Sequence, residues 1–291
     1  GGAGNNTDIA EGYGQATGGG GDAKLGDGNP GLANTGGGGA GGTVDDGSSY
    51  AGGDGGSGLV VIAFDNGLSI NSGSAKTDLV GDISKLSNLD ITSSNTTNTA
   101  SGIISGLTPI TYTGTSAGNF TISGNNTFTG NVNIISGSLS ITNGNALGSS
   151  AGNTTIANGS VLTLSNNIEV NEAISVAGTG ISNNGAIRNT TDDNTLTGLI
   201  TQTANTEIQI DSGSSLTINP SSGDAVTGTY NLTIDSIGTT NISDPIAIGT
   251  GTLTKNGAGT LTLSGTNTYS GATTISAGII AISDAVGLGT T

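Results

Sequence analysis

The sequence contains no cysteine, histidine, methionine or tryptophan. Without cysteine the chain can form neither a disulfide framework nor a thiolate zinc site. Without histidine it lacks the commonest general base and the commonest metal ligand. These absences remove most of the side-chain chemistry on which enzymes and metalloproteins depend.

Charged and aromatic residues are also scarce, at 9% and 3% of the 291 residues. The cations are scattered singly along the chain, at Lys24, Lys76, Lys85, Arg188 and Lys255. Nucleic-acid binding needs clustered cations that displace counterions from phosphates, so the sequence argues against it. The net charge of -16 is better explained by an acidic surface that limits self-adhesion.

Long apolar runs are missing as well. The longest, Leu59 to Phe64, is far too short to cross a bilayer, so we expect no membrane-spanning segment in this chain. The sequence opens with neither an export signal nor a methionine, and we interpret it as a processed or partial chain.

Glycine, by contrast, is abundant and divides the chain into regions. Residues 1–58 contain 24 glycines and are predicted to form either a linker or a set of packed, extended glycine strands. Residues 59–117 form a transitional segment that starts with a buried strand. Residues 118–291 consist of short apolar alternations bounded by Gly, Asn, Asp or Ser, which is typical of strands and turns.

One stretch of the transitional segment is ambiguous. Between Thr77 and Leu89, the residues Leu79, Ile83 and Leu86 follow helical spacings. They predict a short amphipathic helix capped by Thr77, but the same residues also fit irregular β rungs.

An internal repeat shows how the last region is built. Residues 118–150 align without a gap on residues 259–291, with 12 identities in 33 positions. In the second copy the apolar pair Leu261 and Leu263 recurs 19 residues later as Ile280 and Ile282, which is about one coil of a β-solenoid. Stacked coils pair every backbone group with the coil above or below and need only periodic aliphatic residues inside. We predict eight or nine coils of roughly 20 residues in 118–291, with further coils or a neighbouring subunit beyond Thr291.

The segment from Gly249 to Thr290 has a distinctive pattern at Leu253, Lys255, Gly257, Gly259, Leu261, Leu263, Gly265, Asn267, Tyr269, Gly271, Thr273, Ile275 and Gly278. This pattern resembles the autotransporter-associated β-strand repeat, also called the passenger-associated transport repeat. The resemblance implies a right-handed parallel β-helix in a large exported surface protein, where such repeats are thought to aid passage and folding outside the cell. The chain shows no translocator-barrel pattern of its own.

Three acidic pairs are candidates for two-carboxylate glycoside cleavage: Asp192 with Asp193, Glu169 with Glu172, and Asp45 with Asp46. Each pair is better explained as part of a solvated turn or outer face, so no catalytic residue is assigned and the protein is predicted not to be an enzyme.

Binding sites have equally weak signals. Asp22 lies in a glycine-rich stretch similar to a calcium-binding nonapeptide, but it falls one position earlier than the pattern requires. Calcium therefore stays an alternative, and no metal-binding or cofactor-binding residue is assigned. Phe128 and Tyr269 occupy equivalent repeat positions, where packing inside or against a coil is favoured over stacking on a carbohydrate.

The leading hypothesis is an extracellular structural or adhesive protein of the bacterial cell surface, part of a fibre, a stalk or an autotransporter-like passenger. Its expected partners are other copies of itself and components of the cell envelope or a host surface. The alternatives are a tail-fibre or other appendage of a phage or virion that binds a receptor, and a polysaccharide-cleaving β-helix.

Overall fold

A computed structural model describes residues 68–71, 78–84, 87–94, 98–106, 109–115 and 118–290. In these ranges the chain forms an all-β parallel solenoid of about nine turns, as the sequence predicted. The only helical element among them is a 3₁₀ turn at Ile181–Asn183. The glycine-rich region 1–58 and the predicted strand at Leu59 to Phe64 lie outside the described residues.

Each turn of the solenoid passes through three faces. The first face contains β1 (Leu68–Asn71), β3 (Leu89–Ser93), β5 (Ile110–Gly114), the first half of β7 (Val132–Ile141), β8 (Asn153–Ile156), β11 (Ala173–Gly178), the first half of β14 (Ile200–Ile210), β16 (Val226–Thr227) and β19 (Ile246–Ala247). The second face contains β2 (Asp78–Leu79), β4 (Asn98–Ala100), β6 (Asn119–Ile122), the second half of β7, β9 (Ser160–Leu164), β12 (Ile187–Asn189), the second half of β14, β17 (Leu232–Ser236), β20 (Leu253–Asn256) and β22 (Thr273–Ile275). The third face contains β10 (Glu169–Val170), β13 (Asp193–Leu196), β15 (Ser215–Ile218), β18 (Thr239–Ile242), β21 (Thr260–Leu263) and β23 (Ile279–Ile282).

Parallel pairing between turns sets the register. On the first face Leu68 pairs with Leu89 and Leu89 with Ile110, so these turns contain 21 residues each. On the third face Leu261 pairs with Ile280, which confirms the 19-residue period predicted for this pair.

Two central turns are longer than predicted. Ile174 pairs with Ile200 and Ile200 with Val226, so each of these turns contains 26 residues. Because these turns are longer and because turns also form before residue 118, the nine turns extend over the described part of 68–290 rather than over 118–291 alone. The extra residues lie in corner loops, including the 3₁₀ turn, and leave the stacking of the faces intact.

The core consists of aliphatic side chains stacked in columns. On the second face the inward column includes Leu139, Leu162, Ile187, Ile208 and Ile234, all fully buried. Burial of an aliphatic side chain of this size contributes about 1.5 to 3 kcal/mol, so each turn is stabilised mainly by the turns that cover it.

The helix predicted between Thr77 and Leu89 is wrong, and the alternative of β rungs is confirmed. Leu79 ends β2, and Ile83 forms a parallel bridge with Ile104 of the next turn. Both side chains pack against the core. Helical spacing was misleading here because a short solenoid strand, a corner and the next rung also place apolar residues three to four positions apart.

The solenoid is continuous across residue 118. β4 pairs with β6, and β5 pairs with β7, so strands from the segment named transitional stack directly under the first repeat copy.

The two repeat copies lie on different faces. β6 of the first copy is on the second face, whereas the equivalent β21 is on the third. Val132 is on the first face, whereas the equivalent Thr273 is on the second. The offset of 141 residues therefore amounts to whole turns plus one face. The same sequence pattern suits different faces because each presents an aliphatic interior between corners.

An asparagine in each repeat copy connects three successive turns. The Asn126 side-chain oxygen accepts a hydrogen bond of 2.8 Å from the Ile104 backbone N–H, and its amide donates one of 2.7 Å to the Ala146 carbonyl. Asn267 repeats this arrangement with the N–H of Ile246 at 2.7 Å and the carbonyl of Gly287 at 2.6 Å. Both side chains are buried, so each satisfies two backbone groups that water does not reach.

Asn267→Ala should lower the free energy of unfolding by about 2 to 4 kcal/mol, because it leaves a buried N–H and a buried carbonyl without partners. Urea denaturation followed by circular dichroism measures this loss. The matched control is Asn145→Ala, which removes an exposed amide that bonds only to the side chain of Asn125. An equal loss in the two variants would contradict the role given to Asn267.

Candidate functional site

The acidic pair at Asp192 and Asp193 lies at an exposed corner between the second and third faces. Asp192 has a left-handed backbone conformation with φ of 65°. Its carboxylate accepts hydrogen bonds from the Asn166 backbone N–H at 3.0 Å and from the Thr191 hydroxyl at 2.8 Å. The carboxylate therefore joins the corners of two turns, which is a structural use.

The second pair is separated by burial. Glu169 is exposed, whereas Glu172 is 3% exposed. One carboxylate oxygen of Glu172 accepts a hydrogen bond of 2.8 Å from the Thr154 hydroxyl, and the other has no partner among the described residues. Burial raises the pKa of Glu172 to about 7, although the bond from Thr154 opposes this shift. Asp45, Asp46 and Asp22 lie outside the described residues.

A second carboxyl, on the outward side of β14, is also shielded from solvent. Glu207 is 8% exposed, and one of its oxygens has no partner among the described residues. Burial, and to a smaller extent the negative charge of Asp235, raise the pKa of Glu207 to about 7. A hydrogen bond from the Gly185 backbone opposes this shift. Neither buried carboxyl belongs to a group of three or more acidic residues that could hold a metal ion, and no such group occurs in the described ranges.

Both repeat aromatics are fully buried, which confirms the prediction that they pack inside a coil. Gly289, with φ of 86°, lies over the ring of Tyr269, and a Cβ there would be 2.9 Å from the ring. Gly148 covers Phe128 in the same way, with a Cβ position 2.8 Å from the ring. The Tyr269 hydroxyl shares a hydrogen bond of 2.7 Å with the Thr273 hydroxyl. Neither ring is available to stack on a sugar.

The most unusual buried group is Lys255, which was matched to the repeat pattern but not predicted to lie inside. It occupies the inward column of the second face between Ile234 and Ile275, and it is fully buried. Its ammonium donates hydrogen bonds to the carbonyls of Ser236 at 3.1 Å and Gly257 at 2.7 Å, and also to that of Asn256. Burial lowers the pKa of Lys255, and the charge of Asp235 opposes this shift.

A different residue occupies the corresponding corner just before the first repeat copy. Tyr112 pairs with Ile134 as Lys255 pairs with Ile275, so the two side chains are equivalent in the stack. Tyr112 is fully buried, and burial raises the pKa of its hydroxyl to about 12. A Cβ at Gly114 would lie 2.2 Å from that hydroxyl, just as Gly257 is in contact with the Lys255 ammonium. The corner therefore takes a long side chain with a polar end.

Part of the described polar interior thus bonds to the backbone. Asn126, Asn267 and Lys255 all bond to main-chain groups of neighbouring turns. The sequence signal for the asparagines was their identity in both copies. The burial of Lys255 had no such signal, because this residue precedes the second repeat copy and lysine is rarely buried.

Lys255→Met should lower the free energy of unfolding by about 2 to 4 kcal/mol, since the carbonyls of Asn256 and Gly257 lose a buried donor. The control is Arg188→Met, which removes a partly exposed cation paired with Asp211 at 2.8 Å and should cost about 1 kcal/mol or less. Urea denaturation of both variants makes the comparison. A loss for Lys255→Met no larger than that of the control would show that the carbonyl contacts contribute little.

Glu172 should make the solenoid less stable as the pH rises. Its pKa is about 7 when folded against an ordinary value of 4.5, so its contribution is fully present below pH 4.5 and is lost as the pH rises through 7. Between pH 5 and pH 8 the wild type should lose about 2 to 3 kcal/mol relative to Glu172→Gln. Unfolding free energies at the two pH values give this difference.

Glu169→Gln is the matched control, because Glu169 is exposed and lies three residues away. It should follow the wild type at both pH values. If Glu172→Gln also followed the wild type, the carboxyl would have to ionise in the folded chain without penalty.

Comparison with known proteins gives one family. Two regions, residues 111–141 and 253–282, match the family described as passenger-associated-transport-repeat. They begin six or seven residues before the two copies recognised from internal similarity. No curated protein and no solved structure matches the chain. In the ranges that the structure describes, no helix has the length and apolarity needed to span a membrane. Two regions of the chain are thus similar to the passenger-associated transport repeat, and both are built into one parallel β-solenoid.

Proposed function

We propose that this chain is part of the passenger of a secreted bacterial surface protein, in which the solenoid is a stiff, non-enzymatic scaffold. The observation that carries the proposal is the presence of two transport repeats inside one continuous stack of turns. The interior of that stack is filled by aliphatic columns and by polar side chains bonded to the backbone. Such an interior supplies length and resistance to unfolding rather than a reaction.

The architecture also suits a chain that is exported before it folds. Each turn pairs with its neighbours, so a turn that emerges can add to the turn already formed. The sequence contains no cysteine, so no disulfide has to form on the way. On this proposal the protein works at the cell surface, where its outer faces and ends contact other copies, the cell envelope or a host surface.

Surface display tests the scaffold role. The chain is placed between an export signal and a translocator barrel in a Gram-negative host, and intact cells are treated with protease. A resistant fragment corresponding to the solenoid should remain on the cells. The combined variant Asn267→Ala, Lys255→Met should reach the surface but lose resistance in its last turns, because both changes remove contacts between those turns.

A glycine and serine-rich chain of equal length is the control for display without folding. Digestion of the wild-type chain at the same rate as this control would overturn the scaffold role. Sedimentation of the purified chain as a trimer, together with binding to whole cells as a receptor ligand, would favour a phage appendage instead.

A further inference from the structure

One of the four prolines in the sequence directly follows an aspartate. This pair, Asp244 and Pro245, lies in the corner that joins β18 on the third face to β19 on the first. A proline nitrogen has no N–H, so it cannot attack the side chain of the residue before it. The succinimide route by which other aspartates cyclise is therefore closed. Attack by the carboxyl on its own backbone carbonyl is the intramolecular reaction that remains.

One oxygen of the Asp244 carboxyl is free of hydrogen bonds. Oδ2 is buried and has no hydrogen-bond partner among the described residues. Both oxygens of an aspartate can accept hydrogen bonds, and buried polar atoms are normally paired, so this vacancy calls for an explanation. Its chemical consequence is that no hydrogen bond restrains Oδ2 from acting as a nucleophile.

Gly265 of the following turn covers the peptide bond between the two residues. A Cβ at Gly265 would be 2.4 Å from the Asp244 carbonyl carbon and 2.7 Å from the Pro245 nitrogen. A backbone this close leaves little room for a water molecule on that side of the bond. The side chain of Asp244 is a nucleophile already in place, and a well-oriented intramolecular group can have an effective concentration of about 10⁵ M or more.

The first repeat copy has similar glycine packing without the reactive pair. Gly124 is the sequence equivalent of Gly265, and a Cβ there would be 2.3 Å from the Gly102 carbonyl oxygen. The peptide bond beneath it joins Gly102 to Ile103, which supply neither a carboxyl nor a proline. The close glycine is therefore common to both copies, whereas the aspartate and proline beneath it occur at the second copy alone.

We infer that the bond between Asp244 and Pro245 is a self-cleavage site. The Asp244 carboxyl oxygen bonds to the carbonyl carbon of the same residue, the carboxyl proton passes to the Pro245 nitrogen, and the C–N bond between the two residues breaks. One water molecule then opens the cyclic anhydride left on Asp244, so the net reaction is hydrolysis of one peptide bond. Each molecule reacts once, on its own backbone. The inference does not depend on the passenger role.

The stack should hold the two products together. On one side of the bond, Ser243 donates its N–H to the Ile218 carbonyl at 3.2 Å. On the other side, the Pro245 carbonyl accepts a hydrogen bond of 2.8 Å from the Ala225 N–H. Beyond the corner, β19, β20 and β21 pair with β16, β17 and β18. The part of the chain from Pro245 onward therefore stays paired with the turn below after the bond breaks.

The test is incubation of the folded full chain in mildly acidic buffer with protease inhibitors, because a protonated amine does not re-form the bond. Mass spectrometry after denaturation should show two fragments, residues 1–244 and 245–291. Gel filtration without denaturant should show the fragments still together. Asp244→Asn cannot form the anhydride and Pro245→Ala has a poorer leaving group, so each variant should cleave about tenfold more slowly or less.

A synthetic peptide of residues 239–250 shows what the same bond does without the fold. The folded chain should cleave about tenfold faster or more than this peptide under the same conditions. Gly265→Ala should remove most of that difference, because the new Cβ would displace the Asp244 carbonyl. The matched control is Gly124→Ala, which creates a similar clash over Gly102 and should leave the cleavage rate unchanged.

A folded chain that cleaves no faster than the peptide would overturn the inference, since the bond would then have only the lability of any Asp–Pro pair. Equal slowing by the two glycine variants would also overturn it, because overall stability rather than local packing would then control the rate. Cleavage after Asn219, which precedes the proline at the same corner one turn earlier, would show hydrolysis without a carboxyl and would contradict the role of Asp244.

Discussion

Parallel backbone pairing between one turn and the next is the interaction on which the rest of this structure depends. Leu89, Ile110 and Val132 show how it aligns like positions above one another, so that aliphatic side chains form columns without a wide interior. Once this pairing is fixed, each inward side chain packs on equivalent side chains of the adjacent turns. At each corner the backbone must change direction within a few residues. The composition follows, because rings and long charged side chains seldom fit either place.

Some of the buried polar side chains bond to backbone groups of neighbouring turns. Asn126 and Asn267 each connect three successive turns at a corner. At another corner the Lys255 ammonium donates hydrogen bonds to carbonyls that face inward. Glu172 is different, because one of its carboxylate oxygens accepts a hydrogen bond from the Thr154 hydroxyl and the other has no partner among the described residues. The asparagines and the lysine bond to backbone groups, whereas the carboxyl of Glu172 is buried and its pKa is raised.

The sequence predicted the features that repeat and missed those that occur once. The 19-residue step from Leu261 to Ile280 is visible because equivalent residues recur, and the internal packing of Phe128 and Tyr269 follows from the same alignment. The error at Leu79 and Ile83 arose because a corner between short strands reproduces helical spacing. The burial of Lys255 and Glu172 could not be predicted, since it depends on which residues of adjacent turns cover them.

The position of the two repeat copies on different faces has a consequence for how such a chain can change in length. A duplication or deletion does not have to contain a whole number of turns, since a piece ending one face later still meets a compatible surface. The unit of such a change would then be about a third of a turn. Loops at equivalent positions of the two copies accordingly project in different directions around the axis, while the column itself continues.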